Sequence, residues 1–161
     1  MKLCRILAAA FLLTLGTAAA TLPSARLYVN ASIAPASSAS PYSTWETASQ
    51  NLQDALALAV SGDEIWVAAG TYYPDEGGSQ TVGNRSATFS LREGVSIYGG
   101  FAGSETLLSQ ARVTTNATIL SGDIGVEGDA TDNSYHILSA FFIENPTQLR
   151  FLILPHRRLH P

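Results

Sequence analysis

Ser61-Gly62-Asp63-Glu64-Ile65-Trp66-Val67-Ala68-Ala69-Gly70-Thr71-Tyr72-Tyr73-Pro74 is the stretch on which the fold turns. Glu64 to Ala68 alternates, with Ile65 and Val67 on one face, which is the period of a half-buried strand. Gly70 and Tyr72-Tyr73-Pro74 read as its stop. Before it, Leu52, Ala55, Leu56, Ala59 and Val60 recur at i, i+3, i+4, i+7 and i+8, the apolar stripe of a helix near residues 50–60. Thr47 or Ser49 is a suitable start, and Thr47 with Gln50 has capping-box spacing. Gly62 can close it, because glycine enters the left-handed region cheaply.

After that helix the pattern is strands. Residues 26–31 form a short strand ahead of it, with Leu27 and Val29 on one face. Later strands are expected at 87–91, at 95–98 with Gly99-Gly100 as its end, at 117–120 and at 135–138. Short strands near Trp66, Ile97, Ile119 and Ile137, each followed by glycine or serine, recur every ~20–30 residues, as a stack of coils requires. A β-sandwich also shows many short strands, but spaces them at about 8–12 residues. The expected class is therefore all-β: the first two or three coils of a right-handed parallel β-helix, with an N-terminal capping α-helix. In that arrangement Ile65, Val67, Ile97, Ile119 and Ile137 share one interior.

The first twenty residues read as an export signal. Lys2 and Arg5 precede the apolar run Ile6–Leu15, and Ala18-Ala19-Ala20 offers a cleavage site before Thr21. The run falls well short of the roughly 20 apolar residues of a membrane-spanning helix, and no later segment supplies one. Cys4, the one cysteine, leaves with the signal, so the mature chain gains no disulfides. Residues 21–139 then form the start of the β-helix. Residues 140–161 form an aberrant tail, basic and apolar, with Arg150, Arg157 and Arg158 and no acid after Glu144.

All thirteen acids lie between Glu46 and Glu144, against four arginines in residues 21–144 (Arg26, Arg85, Arg92 and Arg112). Such a body repels phosphate backbones, which argues against nucleic acid as a partner.

The stretch 61–74 resembles the opening of large secreted bacterial right-handed β-helix proteins of the pectate-lyase-like superfamily. So do Leu52-Gln53-Asp54-Ala55-Leu56, Ser96 to Thr106, Ile119 to Ile124 and Asn133 to Leu138, together covering about residues 27–139. The segment from Gly62 to Tyr72 is the most specific part. The resemblance implies a scaffold whose function sits on later coils or appended domains, in a family that includes surface proteins, polymorphic outer-membrane proteins and carbohydrate-active proteins. Members continue with further coils, whereas here the pattern stops near Ser139, as in a truncated or frame-shifted reading frame.

Candidate chemistry is sparse. Asp123, Glu127, Asp129 and Asp132 crowd a glycine-bearing loop and could ligate calcium, which takes six to eight hard oxygens; the plainer reading is a solvated acidic loop. Trp66, Tyr72, Tyr73 and Tyr98 could stack a sugar, although such aromatics more often fill a core. Asp63, Glu64, Glu93, Asp123 and Arg92 adjoin strands without a spacing that forces a catalytic pair. His136 lacks a partner for a transition metal. The functional expectation is a secreted or cell-surface, non-enzymatic scaffold module for adhesion or glycan binding. Extracellular polysaccharide or cell-surface components are the expected partners, and calcium the one candidate cofactor. Alternatives are the N-terminal cap of a polysaccharide lyase or hydrolase that lacks its catalytic coils, or a non-functional fragment. The uncovered end of so short a stack is expected to self-associate.

Overall fold

The computed structural model describes residues 24–140; the expected signal (1–20) and all of the expected tail except Ala140 lie outside them. Within those bounds the chain is strand-rich, with a single α-helix. The order is β1 (Arg26–Val29), α1 (Leu52–Leu58), β2 (Glu64–Ala68), β3 (Gly70–Tyr72), β4 (Phe89–Leu91), β5 (Ser96–Phe101), β6 (Thr118–Leu120) and β7 (Leu138–Ala140).

Every strand ladder among the described residues is parallel. The sheets run β1-β2-β5, β3-β6 and β4-β7. Chain neighbours β2, β3 and β4 do not pair with one another; they pair in order with β5, β6 and β7. Partners are therefore distant in sequence: 38 residues separate Arg26 from Glu64, and 49 separate Ser90 from Ser139. Parallel pairing needs such long connections, whereas the hairpins of a sandwich would bring antiparallel neighbours together.

Strand alternation builds the interior. Leu27, Ile65 and Ile97 are register partners across the first sheet. With Val29, Val67, Tyr72, Phe89, Leu91 and Val95 they form one core, closed by Leu52, Ala55 and Leu56 of α1 and by Ala59 just after it. Burying each large aliphatic side chain is worth about 1.5–3 kcal/mol, which holds this short helix against the strands.

The helix starts later than expected. Asn51 is its N-cap: Asn51 Oδ1 accepts from the Asp54 N–H at 2.9 Å, and Asn51 Nδ2 donates to Asp54 Oδ2 at 2.9 Å. Ser49 cannot serve, because its backbone pairs with β1: the Ser49 N–H donates to the Tyr28 carbonyl at 2.8 Å, and the Asn30 N–H donates to the Ser49 carbonyl at 2.7 Å. Thr47 belongs to a 3₁₀ turn, Trp45–Thr47, capped by Thr44. The helix is over by Ala59, Val60 is half exposed, and Gly62 lies in the following turn rather than at the helix end. The Tyr28 N–H also donates to the Tyr42 carbonyl at 2.8 Å. Residues 42–49 thus cover the edge of β1 that faces away from β2.

Three further expectations are corrected. Ile119 and Ile137 are 51% and 39% exposed. Leu120, opposite buried Tyr72, and Leu138, opposite buried Phe89, take the inward positions; a shift of one residue turns a strand side chain to the other face. Gly70–Tyr72 is strand β3 and not merely a stop. Gly99-Gly100 lies within β5, where a register shift brings Phe101 opposite Ala68.

Candidate functional site

The residues opposite in sense to Leu27 and Ile65 form a second, aromatic cluster. Tyr28, Trp66 and Tyr98 are register partners. Phe101 stacks on Trp66 at 4.4 Å between ring centroids, and the Arg26 guanidinium sits 3.8 Å from the Trp66 centroid. Trp66 Nε1 donates to Glu64 Oε2 at 2.9 Å, and Arg26 Nε donates to the same oxygen at 3.3 Å. Trp45 packs on Tyr28 at 4.6 Å and donates from Nε1 to the Glu105 carbonyl at 2.8 Å.

Burial withdraws two of the four residues that the sequence offered for sugar stacking. Trp66 is 0% and Tyr72 1% exposed, so neither presents a ring face to a ligand. Tyr72 lies in the core, where burial pushes its phenol up to about 12; the hydroxyl accepts from the Ala31 N–H and donates to the Ala68 carbonyl. Tyr73 and Tyr98 are partly exposed.

The acidic loop is organised around its own backbone. Asp123 accepts from the Gly128 N–H with both oxygens, at 3.2 and 3.0 Å. Asp132 Oδ2 accepts from the Val126 N–H at 2.8 Å. Asp129 Oδ1 accepts from the Thr131 hydroxyl and N–H at 2.7 and 2.8 Å, and those two bonds hold its carboxyl below the usual value. With its nitrogen turned toward Asp123, the Asn133 amide donates to Asp123 Oδ1 at 3.0 Å and to the Asp129 carbonyl at 3.3 Å. Glu127 is exposed. Among the described residues no three His, Cys, Asp or Glu side chains converge as a metal site. Two other atoms of this loop, Asp132 Oδ1 and Ser134 Oγ, are buried without a partner.

The strand-flanking acids are likewise held in structural bonds. Asp63, buried, accepts from the Ala25 N–H at 2.7 Å and the Val60 N–H at 2.9 Å, tying β1 to the turn after α1. Glu64 holds Arg26 and Trp66. Arg92 is exposed, and one guanidinium N–H donates to the Ala57 carbonyl at 3.3 Å. Glu93 and His136 are exposed.

A groove of about 340 Å³ runs between α1 and β4, lined in part by Gln53, Asp54, Leu56, Ser90 and Arg92. Small-molecule sites span about 300–1,000 Å³, so this one is at the small end. Gln53, to which the sequence assigns no chemistry because it lies off the Leu52–Leu56 stripe, is buried among the lining residues. Its Nε2 donates to the carbonyls of Pro74 at 2.6 Å and Thr88 at 3.1 Å. This clamps the helix to the connection between β3 and β4.

Among the described residues no helix is long and apolar enough to cross a membrane. No protein-family model, curated protein or solved structure matches the chain.

Proposed function

We propose that this chain is the opening of an exported right-handed parallel β-helix, similar to the opening modules of the pectate-lyase-like superfamily. In this reading it serves as a non-enzymatic surface scaffold for adhesion or glycan binding. The observation that carries the reading is the strand-for-strand parallel pairing of β2, β3 and β4 with β5, β6 and β7. A chain that winds repeatedly around one interior pairs in this way, and α1 then covers the first turn as a lid. The non-enzymatic part draws support from Asp63 and Glu64, whose carboxylates serve backbone N–H groups, an indole and an arginine, and from Asp123, which serves its own loop.

The test is a glycan array read with the full chain, beside reducing-sugar and lyase assays on every glycan it retains. Retention of a glycan without product is the expected result. Release of unsaturated or reducing ends overturns the non-enzymatic assignment, and retention of no glycan overturns the glycan-binding role. N-terminal sequencing of the exported chain should begin at Thr21; an intact Met1 overturns the signal peptide.

A further inference from the structure

We propose that the groove between α1 and β4 binds one neutral sugar unit. Such a site deepens the glycan-binding reading and rests on it. The groove has a volume of about 340 Å³, which suits a single ligand near the lower limit of small-molecule sites. Its walls are pinned at both ends: Gln53 Nε2 donates to the Thr88 carbonyl at 3.1 Å, and Arg92 donates to the Ala57 carbonyl at 3.3 Å. The site is therefore formed before a ligand arrives, which leaves little ordering cost to binding.

Gln53 supplies a fixed acceptor. The residue is 9% exposed, and Nε2 uses both hydrogens on the carbonyls of Pro74 and Thr88. Two acceptors on one side fix which end of the amide is nitrogen. Oε1 has no partner among the described residues. Yet it is not one of their buried orphan atoms, which are Thr88 Oγ1, Asp132 Oδ1 and Ser134 Oγ. Solvent therefore reaches Oε1 on a side chain that is otherwise enclosed, and that side chain lines the groove. A held, unpaired acceptor calls for a ligand that donates.

The rest of the lining sets the class of that ligand. Asp54 and Arg92 contribute one negative and one positive group, so a charged ligand gains no net attraction. Asp54 is also engaged already: Oδ1 accepts from the Gly78 N–H at 3.0 Å and Oδ2 from Asn51 Nδ2 at 2.9 Å. Ser79, Gln80 and Ser90 complete the polar lining. Hydroxyls and amides both donate and accept, which matches a molecule whose own hydroxyls do the same. Leu56 and Leu91 add an apolar strip for the C–H face of a sugar ring.

Magnetic resonance of the isotope-labelled full chain tests this. The probes are the methyl glycosides of glucose, galactose, mannose and N-acetylglucosamine in the millimolar range, beside glucuronate as an anion and alanine as a zwitterion. At least one neutral glycoside should shift the Gln53 side-chain amide together with the backbone amides of 79–80 and 88–92. Ala57→Trp places a large ring at an exposed position of the lining; it should abolish those shifts and the retention of glycan on the array. Arg92→Ala should weaken binding about tenfold, the loss of one hydrogen bond from a charged donor. The wild-type shift pattern stands independently if either variant fails to fold. Shifts with glucuronate or alanine alone overturn the neutral-sugar assignment. Shifts elsewhere on the chain, or no shifts while the array retains a glycan, overturn the groove and leave the glycan-binding reading standing. No shifts together with no retention on the array overturn both.

Discussion

The indole of Trp66 lies flat on the ring of Phe101, with centroids 4.4 Å apart and planes 6° from parallel. Trp66 lies on β2 and Phe101 on its parallel partner β5, and the register shift in β5 brings them together. With the Arg26 guanidinium 3.8 Å from the same ring, the indole is sandwiched between a hydrocarbon ring and a cation. Trp66→Ala should cost about 3–5 kcal/mol of stability, and Arg26→Ala only about 0.5–1 kcal/mol because its side chain is partly solvated. Urea titration followed by circular dichroism measures both; equal losses would mean that the aromatic contact is not the dominant one.

That stacking depends on Gly100. Its φ is +94°, and a Cβ there would lie 2.7 Å from Val113 Cγ1. Gly100→Ala therefore combines left-handed strain with overpacking and should cost about 3 kcal/mol or more. Gly62 has a similar φ of +99° with nothing within 4 Å of the added atom. Gly62→Ala should cost only about 1–2 kcal/mol, the strain alone. Thermal denaturation of the pair separates the two contributions, and equal losses would remove the steric part.

Glu105 holds the loop beside this cluster. Burial raises its carboxyl pKa, but bonds from the N–H groups of Ala102, Ser104 and Gly103 outweigh that, and the net shift is downward. The stabilisation is thus fully present above the unfolded value near 4.5 and is lost as pH falls through the lower folded value. Glu105→Gln should cost about 1 kcal/mol at neutral pH, the low end for a charged acceptor in partial contact with water. The gap between wild type and variant should shrink toward zero in acid. A gap independent of pH would show that the charge is not what the loop recognises.

Thr88 Oγ1 is buried with no hydrogen-bond partner. Thr88→Val keeps the shape and leaves the carbonyl that accepts from Gln53 untouched. Stability should rise by about 1 kcal/mol; a loss of that size would mean that the hydroxyl is satisfied in solution.

What the sequence determined by itself was local. The alternation of Glu64 to Ala68 announces a strand whose Ile65 and Val67 point inward, and the stripe from Leu52 to Val60 announces a helix that must bury one face. Both elements are present, because each depends on residues within a few positions of one another, although the helix ends at Leu58 and Val60 is half exposed. The spacing of later strands was also legible to within a few residues. Their faces were not: Ile119 and Ile137 look as apolar as Ile65, yet Leu120 and Leu138 occupy the interior. Tertiary structure alone decided that, because inward and outward are set by a partner strand about 50 residues away, and a one-residue offset in that pairing exchanges the faces. The same cause moved the helix cap from Ser49 to Asn51, since β1 claims the Ser49 backbone, and turned Gly70–Tyr72 from a stop into a strand paired with β6. It also withdrew Trp66 and Tyr72 from the surface where a sugar could reach them, because Arg26 and Phe101, which cover Trp66, lie on other strands and Tyr72 belongs to the core.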